Sequence, residues 1–287
     1  MSLLVFSLLA FAGGLVAATL LTPVVGRLSL ARGWLDQPDG GRKSHTQPVP
    51  AVGGLAVVGA MFFALIAVVL ARAESTADVA ESAALFVPLL LAAGMVTAVG
   101  LLDDVRGVTP WVKLAVQTGA ALLLCFSGFR IQGLSNPFGG SMDIGVLAIP
   151  LTVVWLVGMS NAFNLIDGLD GLAAGLGFVA TLGLLAAAAV SGRPDATLVA
   201  AALAGALLGF LPYNFGLKPA RIFLGDCGAL TVGFTLAAIA VQGSIKTSAT
   251  IAVVVPLLAL ALPILDVILA VVRRFVRRRP IFGADQD

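Results

Sequence analysis

The chain has 287 residues, of which 59% are hydrophobic and only 11% are charged, and its mean hydropathy is +1.06. A soluble domain of this length cannot bury so much apolar surface, so the composition excludes a soluble globular protein and predicts an integral membrane protein. The formal net charge of +2 is too small to predict nucleic-acid binding.

Apolar windows without Asp, Glu, Lys or Arg divide the chain into predicted membrane spans. Most approach the roughly 20 residues that a transmembrane helix needs. The windows are 2–26, 46–71, 82–102, 114–129, 144–166, 172–190, 196–217, 227–245 and 247–265. They predict an all-α, polytopic bundle of about nine transmembrane helices that forms a single domain over residues 1–287. The window 114–129 is the shortest, so a re-entrant segment is the alternative there, although Trp111 and Phe129 suit the two membrane interfaces.

Lysine and arginine are concentrated in the polar segments that follow the odd-numbered windows, thirteen against four in the other segments. Because positive charge marks cytoplasmic loops, we expect the odd segments inside, the N-terminus outside and the C-terminus in the cytoplasm. Cys125 lies within a predicted span and Cys227 at the entrance of another, so both are predicted to be free thiols. The odd segments also hold nearly every residue that suits chemistry.

The first odd segment carries a cationic cluster, with Arg42, Lys43 and His45 close together and Gly53-Gly54 where the second span begins. Glycines at a helix start let backbone amides approach an anion, so the pattern favours a phosphorylated ligand. The alternative is an ordinary Pro- and Gly-rich turn with cytoplasmic charges.

The second odd segment has two adjacent acids, Asp103 and Asp104, that end a long apolar run. Acids this close to the hydrocarbon are rare without a use. Two neighbouring anions favour a divalent cation, a cationic partner, or one carboxyl that stays protonated and transfers a proton. The alternative is an exposed helix end that Arg106 neutralises.

The third odd segment repeats oxygen-bearing side chains every third residue, at Asn161, Asn164, Asp167 and Asp170. At helical spacing the two Asn residues share a face, and the Asp-Gly pairs that follow allow a turn away from lipid. Carboxylate and amide oxygens without thiolates favour Mg²⁺ or Mn²⁺ over zinc.

The fourth odd segment places Asp226 between two glycines where another span starts, shortly after Arg221. This position suits a metal ligand, and a carboxylate that only caps the helix is the alternative. A further acid, Asp266, lies inside the last window and either faces the same cavity or pairs with a neighbouring helix.

The motifs in 36–54, 100–104, 161–175 and 221–228, in this order, resemble the polyprenyl-phosphate N-acetylhexosamine-1-phosphate transferases, which include phospho-N-acetylmuramoyl-pentapeptide transferase. The resemblance implies a bacterial inner-membrane enzyme that moves a sugar 1-phosphate from a UDP-N-acetylhexosamine to polyprenyl phosphate and releases UMP. The cationic motif is more similar to the branch that uses UDP-N-acetylglucosamine for O-antigen, teichoic acid or mycobacterial wall than to the muramoyl-pentapeptide branch.

The resemblance also implies roles for individual residues on the cytoplasmic face. The implied metal ligands are Asn164 and Asp226, with Mg²⁺ as the ion and Mn²⁺ as an alternative. The implied catalytic residues are Asp103, Asp104 and Asp226, and the implied substrate-binding residues are Arg42, Lys43, His45, Asn161, Asp167, Asp170 and Arg221. Asp103 and Asp104 would orient or deprotonate the lipid phosphate, and a covalent route through an Asp nucleophile stays open.

Members of this family usually continue into a His-rich cytoplasmic loop and a further span, whereas this chain stops at Asp287. We therefore expect that motif to be missing, with reduced activity as one consequence. Enzymes of this kind often pair, so a homodimer is an open alternative to a monomer. A rival from another class is a secondary transporter or channel that passes cations, but such sites lie near the bilayer midplane rather than at span ends.

Overall fold

The structure, a computed structural model, describes residues 2–37, 47–73, 76–131, 133–135, 141–215, 220–243 and 273. It is almost entirely helical, and the described part contains eight long helices. They are α1 (Leu3–Arg32), α2 (Gly54–Arg72), α3 (Thr76–Arg106), α4 (Pro110–Phe126), α5 (Ala148–Ile166), α6 (Leu172–Val190), α7 (Pro194–Asn214) and α8 (Gly225–Gly243).

Seven of these helices are long and apolar enough to cross a membrane, and α4, with 17 residues, is shorter. The chain is therefore a multi-pass membrane protein. The ninth predicted window, 247–265, lies outside the described residues, as does Asp266, so a count of about nine spans stays a prediction. Helix α3 begins at Thr76, so it extends to the N-terminal side of the third window, which starts at residue 82.

Two short antiparallel ladders connect the helices. In the first, β1 (Leu35–Asp36) pairs with β2 (Val49–Pro50). The chain before and the chain after residues 38–46 therefore lie side by side. In the second, β3 (Gly133–Ser135) pairs with β4 (Ser141–Asp143). A single 3₁₀ turn, Gly145–Leu147, precedes α5.

The helices α7 and α8 form the centre of the bundle. In the apolar part of α8, 83% of the residues are buried, and the corresponding share in α1 is 22%, which makes α1 a peripheral helix that faces lipid. These helices are mainly apolar, with a few polar side chains such as Thr231 and Thr235 in α8, as expected for helices between protein and lipid.

Glycines allow the central helices to approach their neighbours closely. A Cβ at Gly205 would lie 2.0 Å from the Phe11 carbonyl oxygen, and one at Gly209 would lie 2.4 Å from that of Leu15. The Gly205-x-x-x-Gly209 pattern therefore joins α7 to α1. Both cysteines are buried free thiols, as predicted.

Candidate active site

A polar cavity of about 680 Å³ opens at one end of the bundle. Its walls come from four separate parts of the chain: the β1–β2 region, the end of α3, the α5–α6 connection and the segment from Asn214 to Asp226. The lining residues are Leu35, Asp36, Ala51, Asp103, Asp104, Asp167, Gly168, Leu169, Asp170, Asn214, Phe223, Gly225 and Asp226. The prediction that the first four odd segments meet on one side is therefore confirmed for their described residues.

Asp226, in the first turn of α8, is the residue on which the other segments converge. The Asn164 amide donates to Asp226 Oδ1 at 2.7 Å, and Lys113 Nζ donates to Asp226 Oδ2 at 3.0 Å. Asn164 lies in the last turn of α5, since that helix ends at Ile166. The two residues that the family resemblance implies as metal ligands are therefore in direct contact.

Lys113 is a site residue that the sequence reasoning missed as such. It lies in the first turn of α4, and its Nζ also donates to Asp103 Oδ2 at 2.7 Å. One ammonium group thus joins the carboxylates of Asp103 and Asp226. The available signal was a lysine at the start of an apolar window, which was interpreted only as a marker of membrane orientation.

The two adjacent acids at the end of α3 have different partners. Asp103 accepts from Lys113 and from the Val108 backbone N–H at 2.6 Å. Asp104 accepts from the backbone N–H groups of Asp226, at 2.8 Å, and Cys227, at 3.0 Å. Asp103 therefore belongs to the charged network in the cavity, whereas Asp104 binds the start of α8.

Asp167 and Asp170 follow α5 on the connection that leads to α6. Asp170 Oδ2 accepts from the Ala220 backbone N–H at 3.1 Å, which ties this connection to the segment before α8. Burial raises the pKa of the Asp167 carboxyl to about 7, and the nearby carboxylates of Asp226 and Asp104 add to this rise. A cation bound in the cavity would oppose the rise by stabilising the ionised form.

Asn161 makes contacts that differ from those of Asn164. Its amide donates to Gln117 Oε1 in α4 at 2.7 Å and to the Val157 carbonyl at 2.8 Å, and it is not among the residues that line the cavity. Gln117 is fully buried. This amide pair joins α4 and α5 close to Lys113 and Asn164, so it stabilises the helix pair that carries these two site residues.

The sequence-based expectation that Gly53 and Gly54 offer amides to an anion is wrong. Gly53 N–H donates to the Phe223 carbonyl at 2.9 Å, and Gly54 N–H donates to that of Leu224 at 2.7 Å. A Cβ at Gly54 would lie 2.1 Å from the Gly228 nitrogen. These glycines are needed because α2 and the start of α8 meet backbone against backbone.

Asn214, at the end of α7, is a second residue that the sequence reasoning missed. It lines the cavity, only 2% of it is exposed, and its Nδ2 donates to the Ile222 carbonyl at 3.0 Å. Its Oδ1 has no hydrogen-bond partner in the described part of the chain. A buried acceptor without a partner is costly, so the cavity holds a place for a donor group.

The remaining predicted binding residues are either absent from the cavity lining or outside the described part of the chain. Arg221 is exposed and is not part of the cavity lining. Arg42, Lys43 and His45 lie outside the described residues. The chain on either side of them, at Asp36 and Ala51, lines the cavity.

The donor set of the cavity fits a hard divalent cation. Within the described ranges, no three His, Cys, Asp or Glu side chains form a preformed metal cage. Mg²⁺ typically uses one or two carboxylates together with water and substrate phosphates, so such an ion does not require a preformed cage of protein ligands. Rotation of the Asn164 amide by half a turn would present its oxygen beside the Asp226 carboxylate.

Comparison with known proteins places this arrangement in a family. Residues 85–244 match the model of glycosyl transferase family 4. The chain is 35% identical over 280 residues to a Bacillus subtilis protein named "Probable undecaprenyl-phosphate N-acetylglucosaminyl 1-phosphate transferase", covering 97% of this chain and 74% of that protein.

Two other relatives carry related names. The decaprenyl-phosphate N-acetylglucosaminephosphotransferase of Mycobacterium tuberculosis is 37% identical over 275 residues, with 85% of this chain and 65% of that protein covered. The phospho-N-acetylmuramoyl-pentapeptide-transferase of Streptococcus mutans is 35% identical over 204 residues, with 67% and 58% covered. The match therefore spans less than two thirds of each of these two proteins. Family model and relatives agree, and the chain belongs to glycosyl transferase family 4.

Proposed function

We propose that this protein transfers a sugar 1-phosphate, most simply N-acetylglucosamine 1-phosphate, from a UDP-sugar to a polyprenyl phosphate. The observation that carries the proposal is the convergence of Asp226, Asn164, Asp103 and Lys113 at one end of a membrane bundle. The names of the relatives support the polyprenyl acceptor and the N-acetylhexosamine group.

The reaction exchanges one phosphoanhydride bond for another. A phosphate oxygen of the lipid attacks the β-phosphorus of the UDP-sugar, a new P–O bond forms, and the bond to the bridging oxygen breaks. UMP leaves with that oxygen, and the lipid retains a pyrophosphoryl sugar. Both reactants are anions, so alignment and neutralisation of charge are the main requirements for catalysis.

Asp226 and Asn164 are the proposed residues for binding Mg²⁺, because the Asp226 carboxylate lines the cavity and the Asn164 side-chain amide is in contact with it. When bound, the ion would neutralise charge on the pyrophosphate and hold it in a defined orientation. Lys113 contributes positive charge at the same point, and its two carboxylate contacts fix its position.

Asp103 is the proposed group that orients the lipid phosphate or accepts its proton. Its contact with Lys113 holds it beside Asp226 in the cavity. The second pKa of a phosphate is about 6, so the attacking dianion already exists at neutral pH and orientation is the larger contribution.

Recognition of the UDP-sugar is assigned to the other polar residues around the cavity. Asp167 and Asp170 line it, and Asn214 Oδ1 offers a buried acceptor for an N–H or O–H of the nucleotide or sugar. The cations Arg42, Lys43, His45 and Arg221 are proposed as contacts for the phosphates. A substrate contact by Asn161 stays a prediction, and its observed partner is Gln117.

The active site is proposed to face the cytoplasm of a bacterial inner membrane. The excess of lysine and arginine in the segments that build the cavity supports this orientation. A nucleotide-activated sugar is also a cytoplasmic substrate, which agrees with the same side.

The test is UMP release by purified protein in detergent with Mg²⁺, undecaprenyl phosphate and UDP-N-acetylglucosamine. We expect release to require both substrates and the metal, and to fall to background in Asp226→Asn. Asp195→Asn is the matched control, because Asp195 starts α7 at the end of the bundle opposite the cavity. Release that persists in Asp226→Asn, or absence of release with any UDP-sugar, would contradict the proposal and make a cation transporter the next function to test.

A further inference from the structure

We propose that Asp104 is a positioning residue, which fixes the first turn of α8 so that Asp226 faces Lys113 and Asn164, and that it does not itself contact substrate. Its kinetic consequences rest on the transferase function proposed above. Its structural consequence, an anchored helix start, can be measured independently of that function.

The hydrogen bonds of Asp104 account for both of its carboxylate oxygens. Oδ1 accepts from the Asp226 N–H at 2.8 Å and Oδ2 accepts from the Cys227 N–H at 3.0 Å. Because α8 begins at Gly225, these N–H groups belong to its first turn and have no partner within the helix. A carboxylate from another helix supplies the missing acceptors and interacts favourably with the helix dipole.

Asp104 is also the last contact in a continuous interface between α3 and α8. Thr97 and Thr231 hydrogen-bond through their hydroxyl groups at 2.9 Å. One turn further along α3, a Cβ at Gly100 would lie 2.6 Å from the Cys227 nitrogen. Residues 97, 100 and 104 recur on one face of α3, so the carboxylate continues a packed surface.

Backbone groups also hold the segment before α8. The Phe223 N–H donates to the Pro50 carbonyl at 2.8 Å, and Gly53 N–H donates back to the Phe223 carbonyl. Gly225 then turns the chain with φ of +72°, and a Cβ there would lie 2.0 Å from the Ala51 carbonyl oxygen. Backbone contacts thus hold the segment before α8, and Asp104 holds the first N–H groups of the helix itself.

This arrangement separates the roles of the two adjacent acids. Asp103 interacts with Lys113 and so belongs to the charged network, whereas Asp104 is engaged with backbone amides. It also means that the first amides of α8 are already bonded to a carboxylate. Substrate phosphates must therefore be bound by other groups, and the Lys113 ammonium group, 3.0 Å from Asp226 Oδ2, is one of them.

The first measurement is hydrogen–deuterium exchange of peptides covering residues 225–228, in protein without added divalent metal or substrate. Asp104→Ala removes both acceptors, and we expect these amides to exchange about tenfold faster or more. Asp104→Asn keeps the size and one acceptor oxygen, so its exchange should lie between wild type and Asp104→Ala. The neighbouring Asp103→Asn should leave exchange at the α8 start unchanged.

The second measurement is the dependence of UMP release on Mg²⁺ concentration. In Asp104→Asn we expect residual turnover, with the Mg²⁺ concentration for half-maximal rate raised about tenfold and the KM for lipid phosphate unchanged, because Asp226 is less well placed. Unchanged exchange in both Asp104 variants would overturn the proposal, as would turnover lost at every Mg²⁺ concentration in Asp104→Asn. If wild type shows no turnover, the transferase function fails, and exchange alone decides whether Asp104 anchors α8.

Discussion

Lys113 shows how one side chain joins two carboxylates that line the cavity. Its ammonium group lies 2.7 Å from Asp103 Oδ2 and 3.0 Å from Asp226 Oδ2, so it reduces the repulsion between carboxylates contributed by two different helices. The same positive charge is available to a phosphoryl group that enters the cavity. Among the described residues, we therefore regard Lys113 as the main cation of the site.

Replacement of Lys113 by Met tests this role at the residue scale. We expect kcat for UMP release to fall about 10²- to 10³-fold, the size typical for loss of a charged group aimed at a transition state. Lys113→Arg should recover part of the rate. The control is Arg106→Gln, since Arg106 is an exposed cation near the end of α3 that does not line the cavity. Equal rate losses in Lys113→Met and Arg106→Gln would contradict the specific role of Lys113.

The sequence predicts part of the site at this scale. The residue pattern marks the repeat from Asn161 to Asp170 and Asp226 as oxygen ligands that suit a cation. The family resemblance selects Asn164 and Asp226 among them, and these two residues are in contact. Lys113 does not stand out, because a single lysine beside an apolar window is also the usual mark of a cytoplasmic loop. The contact of Asn161 with Gln117 is also beyond reach, since helical spacing gives the face of a residue but not its partner on another helix.

At the scale of elements, the site depends on how closely α3 and α8 approach each other. Gly100 is the point of closest approach, where a Cβ would lie 2.6 Å from both Cα and N of Cys227. Gly94 lies six residues earlier in the same helix, and a Cβ there would have no atom within 4 Å. The two positions form a matched pair.

We expect Gly100→Ala to destabilise the protein by about 1–3 kcal/mol, because the helices must separate to accommodate the methyl group. Gly94→Ala should be neutral or stabilising by about 0.5–1 kcal/mol, since alanine favours the helix. Thermal unfolding in detergent, followed by circular dichroism, measures both. A Gly100→Ala variant as stable as Gly94→Ala would show that α3 and α8 are not packed as described.

The amide pair between α4 and α5 supports a second prediction at this scale. Asn161 Nδ2 donates to Gln117 Oε1 at 2.7 Å, and Gln117 is fully buried. Residues in direct contact show coupling energies of about 0.5–3 kcal/mol in double-mutant cycles. We expect such coupling between Asn161→Ala and Gln117→Ala in thermal unfolding, whereas additive effects would contradict a direct contact.

Most helices can be located from the sequence because apolar length is a strong signal in a membrane protein. The window 172–190 coincides with α6, and the other described windows overlap their helices with shifts at the ends. The shifts arise where polar residues continue a helix, as at the start of α3, since composition marks the hydrocarbon and not the helix end. The close contact of Gly54 with Gly228 is not predicted from the sequence, because a glycine pair suits an anion site equally well.

At the scale of the whole molecule, alternation of spans brings distant segments to one end. The cavity combines residues from near Asp36 to Asp226, so no short part of the chain contains the site. This convergence follows from counting spans, because each crossing reverses the side on which the next polar segment lies. The distances within the cavity do not follow, since they depend on how helices pack around α8.

The proposed orientation can be tested with single cysteines at the two ends of the bundle. Leu169, on the cavity rim, is 65% exposed, and Val146, before α5, is 95% exposed. In intact cells, a membrane-impermeant maleimide should label Val146→Cys but label Leu169→Cys only after permeabilisation. The native cysteines are both buried and provide the unlabelled background. The reverse labelling pattern would place the cavity outside.

The most direct test of the central claim follows the phosphorus atom that is transferred. Purified protein is given Mg²⁺, undecaprenyl phosphate and UDP-N-acetylglucosamine labelled with ³²P at the β-phosphate, and the lipid and nucleotide products are separated. If the protein is this transferase, the label enters the lipid fraction while UMP is released unlabelled, and Asp226→Asn abolishes both. Label recovered in UDP would show transfer of the sugar without its phosphate, and the absence of labelled lipid would contradict the transferase function itself.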